Sequence, residues 1–140
     1  MRAVVVYESF TGNTARAAQL VAEAARAEGA EVSVYDITNI GLKDLAEADL
    51  VFVGTWVDGL IIAGHRPGRV GRLRAMPVID GKRAACFMTY AIHAGKALSK
   101  LERVVEERGG TVVASTLLRR DRLAVGVADF VHHALATVPA

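Results

Sequence analysis

The stretch Ala3-Val4-Val5-Val6-Tyr7-Glu8-Ser9-Phe10-Thr11-Gly12-Asn13-Thr14 decides how this chain folds. Ala3 to Tyr7 form a near-continuous apolar, β-branched run of the kind expected for a strand buried on both faces. Glu8 ends the run and a polar turn follows. Ala17, Leu20, Val21, Ala24 and Ala25 then recur at helical spacing as far as Gly29, a residue suited to the position just after a helix. Strand, short turn and helix make up the first half of a parallel crossover, and a strand apolar on both faces needs helices above and below its sheet.

The same alternation continues outward along the chain. Strands are expected at Glu31 to Tyr35, Leu50 to Gly54, Arg83 to Thr89 and Thr111 to Leu117. Helical periods run through Ala97, Leu98, Leu101, Val104 and Val105, stopped by Gly109-Gly110, and through Ala124, Val127, Ala128, Val131, Ala134 and Leu135. Leu42 to Ala48 suits a short helix. The segment from Trp56 to Pro77, with its glycines and arginines, reads as a long loop holding at most a short helix near Val70 to Arg74. Right-handed crossovers then give an α/β three-layer sandwich over residues 1–140 as one domain, with a five-stranded parallel sheet wound on both faces.

Composition narrows the function classes. With 52% hydrophobic and 23% charged residues, the chain is too apolar to be disordered, and a net charge of +2 without a like-charge run offers no nucleic-acid arm. A single cysteine, Cys86, sits in an apolar run and excludes an internal disulfide framework and a thiolate zinc cage. The histidines, His65, His93, His132 and His133, show no zinc-ligand spacing, so no metal is expected. The apolar runs are too short for a signal peptide or a membrane span, which points to a cytoplasmic protein.

In doubly wound sheets, ligands bind beyond the C-terminal strand ends, so the first turn carries the chemistry. It has neither the Gly-rich dinucleotide fingerprint nor a nucleoside-triphosphate loop. It offers the hydroxyls of Ser9, Thr11 and Thr14, the carboxamide of Asn13, and Gly12, all at a helix N-terminus whose first N–H groups lack intrahelical partners. One helix cap needs only one such side chain. No Lys or Arg falls between residues 9 and 14, so the charge of a ligand would be met by the helix dipole and neutral hydrogen bonds. A terminal phosphate monoester held without a metal fits these donors.

Ser9-Phe10-Thr11-Gly12-Asn13-Thr14 resembles the phosphate loop of the flavodoxin family, in the same place after the first strand. Leu50 to Trp56 is similar to that family's third strand and first flavin loop, and Ala84 to Tyr90 to its fourth strand and second flavin loop. The resemblance implies the flavodoxin-like strand order 2-1-3-4-5 and FMN as cofactor. It also implies that Thr55 and Trp56 set an indole on one flavin face while Thr89 and Tyr90 bring a tyrosine to the other. Flat, amphipathic ring systems need such apolar faces. Val57 stands where the family often has glycine, so either Val57 takes up a strained left-handed turn there or Gly59, after Asp58, supplies the flexible turn. The second loop lacks the family's usual glycine-and-acid-rich run, and His93 there is a candidate to approach the flavin edge.

The implied function is electron transfer from a reductase to an acceptor, both redox partner proteins. Two alternatives stand beside it. One is an FMN-dependent NAD(P)H or quinone oxidoreductase or a flavodoxin-like protoporphyrinogen oxidase; the other is a binding module without FMN. Arg66, Arg69, Arg72 and Arg74 replace the acidic surroundings usual in the family's electron carriers. Such a loop is expected to ease flavin reduction and to favour an acidic partner or anionic substrate.

Overall fold

A computed structural model describes residues 1–58 and 66–139. Gly59 and His65 lie outside the described residues. The strands are β1 (Arg2–Tyr7), β2 (Glu31–Asp36), β3 (Leu50–Asp58), β4 (Arg66–Pro67), β5 (Arg83–Tyr90) and β6 (Thr111–Arg119). The helices are α1 (Asn13–Ala27), α2 (Leu42–Glu47), α3 (Val70–Arg74), α4 (Ala97–Glu107) and α5 (Val127–Ala136).

The sheet runs β2-β1-β3-β5-β6 with parallel neighbours throughout. Counting only these parallel strands, the order is the expected 2-1-3-4-5. The departure is β4, a two-residue strand that pairs antiparallel with the end of β3, Val57 opposite Pro67 and Asp58 opposite Arg66. β3 passes the expected end at Gly54 because β5 pairs with it as far as Trp56, and β4 carries it on to Asp58. Thr55 and Trp56 keep a parallel partner in Met88 and Thr89, and Val57 and Asp58 then find an antiparallel one.

The unbroken apolar strands are divided by the pleat. In β1, Ala3 and Val5 join a cluster with Ala17, Val21 and Ala25 of α1 and Val131 and Ala134 of α5. Val4 and Val6 face the opposite layer, with Leu45 of α2, Leu73 of α3 and Leu101 and Val105 of α4. Each face is therefore covered by its own helices, and each crossover carries a helix across the sheet. On the α1/α5 side, Phe52 meets Phe130 edge-on at 5.7 Å between ring centroids. Cys86 is fully buried on the other side, and burial pushes its thiol up, as an inert core cysteine requires.

At the sheet end away from the strand C-termini, His132 of α5 shares a 2.7 Å contact with Glu28, just past α1. This carboxylate raises the imidazole pKa above its ordinary value of 6.5. The stabilisation is therefore fully present below that ordinary value and is lost as pH rises through the higher folded-state value. Melting curves of wild type and His132→Gln should differ most in mild acid and converge at alkaline pH. A gap independent of pH would assign His132 a packing role instead.

Candidate functional site

The C-terminal ends of β1, β3 and β5 meet at one cleft. It is lined by Phe10, Thr11, Asn13 and Thr14 from the first turn, Trp56 and Val57 from β3, and Thr89, Tyr90 and Ala91 from β5, with Arg120 beyond β6. The turn's hydroxyls have divided their work. Ser9 Oγ accepts the N–H of Gly12 at 3.2 Å and of Ala15 at 3.3 Å, which braces the loop from within. Asn13 Nδ2 donates to Thr11 Oγ1 at 3.3 Å. Gly12 sits at φ 95°, a left-handed conformation that costs other residues dearly, and its carbonyl accepts the N–H of Arg16. α1 thus begins without a side-chain cap on Gly12 itself, and its first N–H groups face the cleft end of the helix.

Thr14 is the hinge pin between loops. It is buried, and its hydroxyl lies 2.9 Å from that of Thr89 at the end of β5, so the phosphate-loop helix is tied to the second aromatic loop. Across the cleft, Trp56 stacks on Phe10 with centroids 5.9 Å apart and planes inclined by 29°. The guanidinium of Arg69 lies 5.7 Å from each ring centroid.

Trp56 is held from behind by Gly68. The Gly68 N–H donates to the Trp56 carbonyl at 2.7 Å, and a Cβ at position 68 would fall 2.2 Å from the indole. Thr55 is buried behind the wall and donates its hydroxyl to the Gly68 carbonyl at 2.9 Å. Gly68→Ala must therefore displace the indole. It should shift Trp56 fluorescence and weaken about tenfold the binding of the flavin that the sequence resemblance implies, on the scale of overpacking costs. Unchanged emission and affinity would show that the wall yields freely.

A buried carboxylate anchors this side. Glu8 is 1% exposed; its Oε1 accepts from Arg69 at 2.8 Å and from Arg72 at 3.1 Å. Nearby, Asp36 at the end of β2 accepts from the hydroxyl and N–H of Thr38, which hold its carboxyl below the usual range, with Arg72 and Arg69 adding to the effect. Arg66 pairs with Asp58 at 3.6 Å and Arg74 with Glu107 at 3.8 Å. Each of the four arginines expected to raise the potential around the cofactor thus has a carboxylate beside it, and their combined field is largely cancelled.

The structure brings Phe10, Thr11, Asn13, Thr14, Trp56, Val57, Thr89 and Tyr90 to the cleft wall, with Ser9, Gly12 and Thr55 as supports behind it. Asp58 pairs outward with Arg66 and His93 is exposed off the wall, while Gly59 falls outside the described residues. Val57 is extended strand paired with Pro67, so it carries no left-handed strain. Sequence reasoning missed Glu8 as an anchor and Arg120 as a wall residue. For Arg120 there was a usable signal, because Arg119-Arg120-Asp121-Arg122 leaves the sheet beside Tyr90.

No carboxylate lines the cleft among the described residues, and neutral donors gather at one end of it. That donor set fits a phosphate monoester with an aromatic body, and the fold and cleft together define a nucleotide-binding protein of the doubly wound class. The chain belongs to the flavodoxin family: the flavodoxin-domain model matches residues 4–130. It is 25% identical over 114 residues to the flavodoxins of Clostridium beijerinckii and Megasphaera elsdenii, covering 81% of this chain and 83% of each of them. In three dimensions it resembles two-electron reduced Megasphaera elsdenii flavodoxin with a TM-score of 0.77 at 21% identity, over 97% of this chain and 99% of that one. Oxidised flavodoxin 1 of Bacillus cereus gives 0.75 at 21% identity, over 99% and 100%. It is an FMN-binding electron-transfer protein that works with redox partner proteins. Among the described residues, no helix is long and apolar enough to cross a membrane.

Proposed function

We propose that Thr11, Gly12, Asn13 and Thr14 hold the FMN phosphate, with Ser9 bracing the loop. In this reading Trp56, backed by Phe10 and Thr55, covers one face of the ring system. Tyr90 and Thr89 close the other side, with Val57 near its edge. The observation that carries this is the Thr14–Thr89 hydroxyl contact, which sets the phosphate end and the aromatic walls in a single cleft. FMN, when bound, supplies the one- and two-electron chemistry. The chain's own groups orient it: helix N–H groups and hydroxyls neutralise the phosphate, and the aromatic walls exclude water from the ring faces.

The protein in this reading carries electrons in the cytoplasm from a reductase to an acceptor of acidic surface. Membership of the flavodoxin family supports a carrier over an enzyme of the same fold. The test begins with mass spectrometry of the chromophore released from purified protein, where FMN is expected; FAD or no flavin after reconstitution would overturn the assignment. The holoprotein alone should oxidise NADPH negligibly and should be reduced only when a flavodoxin reductase is added. Steady NADPH oxidation without the reductase would establish an enzyme.

A further inference from the structure

We infer that the mouth of the cleft is the docking face for an acidic redox partner, with Arg120 and Arg122 on its β5 and β6 side selecting it and Phe10 and Ile92 making its apolar contacts. The inference rests on the flavin reading of the cleft and deepens it. Tyr90 and Arg119 are register partners at the ends of neighbouring strands, and the Arg120 N–H donates to the Tyr90 carbonyl at 2.9 Å. The segments that follow, Ala91 to Lys96 and Arg120 to Arg122, therefore leave the sheet side by side at the cleft rim. Arg120 also lines the cleft itself.

The charge on this rim is one-sided. Arg119, Arg120, Arg122 and Lys96 are exposed there, and the single carboxylate among residues 90–96 and 119–126, Asp121, is engaged by Arg119 at 3.0 Å. Arg120 and Arg122 have no ion-pair partner among the described residues. This contrasts with the stretch from Arg66 to Arg74, where every arginine sits beside a carboxylate. The steering field at the cleft thus comes from the β6 end of the sheet, and the expected arginine loop contributes little to it.

Two large apolar side chains are exposed by this opening, Phe10, which lines it, at 70% and Ile92, next in the chain to the lining residue Ala91, at 72%. A small anion gains nothing from them. A protein surface would bury them, which is the usual composition of a docking patch: apolar centre, charged rim.

The test uses light-reduced holoprotein and two outer-sphere oxidants of opposite charge, ferricyanide and hexaammineruthenium(III). Each takes one electron, so two are consumed per reduced flavin, which releases its proton to solvent. At low salt, wild type should favour ferricyanide, and rising salt should slow that reaction and speed the ruthenium one. Arg120→Gln/Arg122→Gln should lower the low-salt ferricyanide rate roughly threefold or more and flatten its dependence on salt. Arg26→Gln, at the far end of α1, should change nothing. The acidic copolymer poly(Glu-Tyr) should inhibit wild type at low salt, and Ile92→Ser should weaken that inhibition without changing the ferricyanide rate. Salt effects of the opposite sign, or a double variant indistinguishable from wild type, would overturn the inference. Inhibition unaffected by Ile92→Ser would reduce the face to a site for small anions and overturn the partner. Protein that retains no flavin spectrum would instead refute the underlying reading, before any rate is measured.

Discussion

Replacing Asn13 by alanine and Thr14 by valine together should abolish most of the preference for FMN over riboflavin. Hydrogen bonds to a charged group contribute about 1.5–3 kcal/mol each, so two lost donors amount to roughly 100-fold or more in FMN affinity. Riboflavin lacks the phosphate, so its affinity should fall only slightly. Fluorescence titration of the apoprotein with both flavins separates the cases. Thr14→Ser is the control, because it keeps a hydroxyl within reach of Thr89. Equal losses for both flavins would mean that the variant has disturbed the whole cleft, and no loss for FMN would place the phosphate elsewhere.

The second large effect is on stability. Arg69→Ala/Arg72→Ala leaves Glu8, 1% exposed, without the two guanidinium partners that now hold it. Breaking a buried ion pair from one side costs about 3–5 kcal/mol; the half-exposed arginines put this case at the lower end. Urea denaturation should show a midpoint drop for the double variant. Adding Glu8→Gln should recover most of it, since the burial penalty of the charge disappears with the charge. If the triple variant is no more stable than the double, the loss comes from the packing of the arginines and not from the stranded carboxylate.

Much of the fold was legible because its signal is local. The pleat and the helical period both appear in the residues themselves, as Val4 and Val6 against Ala3 and Val5, or Ala17, Val21 and Ala25, show. The phosphate loop was legible for the same reason: its donors are consecutive. What escaped depends on contacts between distant segments. β3 runs past Trp56 only because Pro67 and Arg66 return to pair with it, and no pattern within Leu50 to Asp58 announces that partner. Arg69 and Arg72 looked like free positive charge in sequence, since Glu8 lies some sixty residues away and reads simply as the end of a strand. Charge is a property of neighbours in space, which a one-dimensional reading does not supply.

The fastening of α3 has a dynamic consequence. This five-residue helix fully buries one side chain of its own, Leu73, packs Val70 only in part, and is otherwise fastened by the arginines that reach Glu8 and by Arg74 to Glu107. Segments with few apolar contacts unlatch well before the whole domain melts, so amide hydrogen exchange should reach α3 early while β1 and β3 remain protected. Arg69 also spans Phe10 and Trp56, so each such excursion lifts a cation from the ring pair. Deuterium uptake by α3 and the collisional quenching of Trp56 should therefore rise in step, two readings of one opening event.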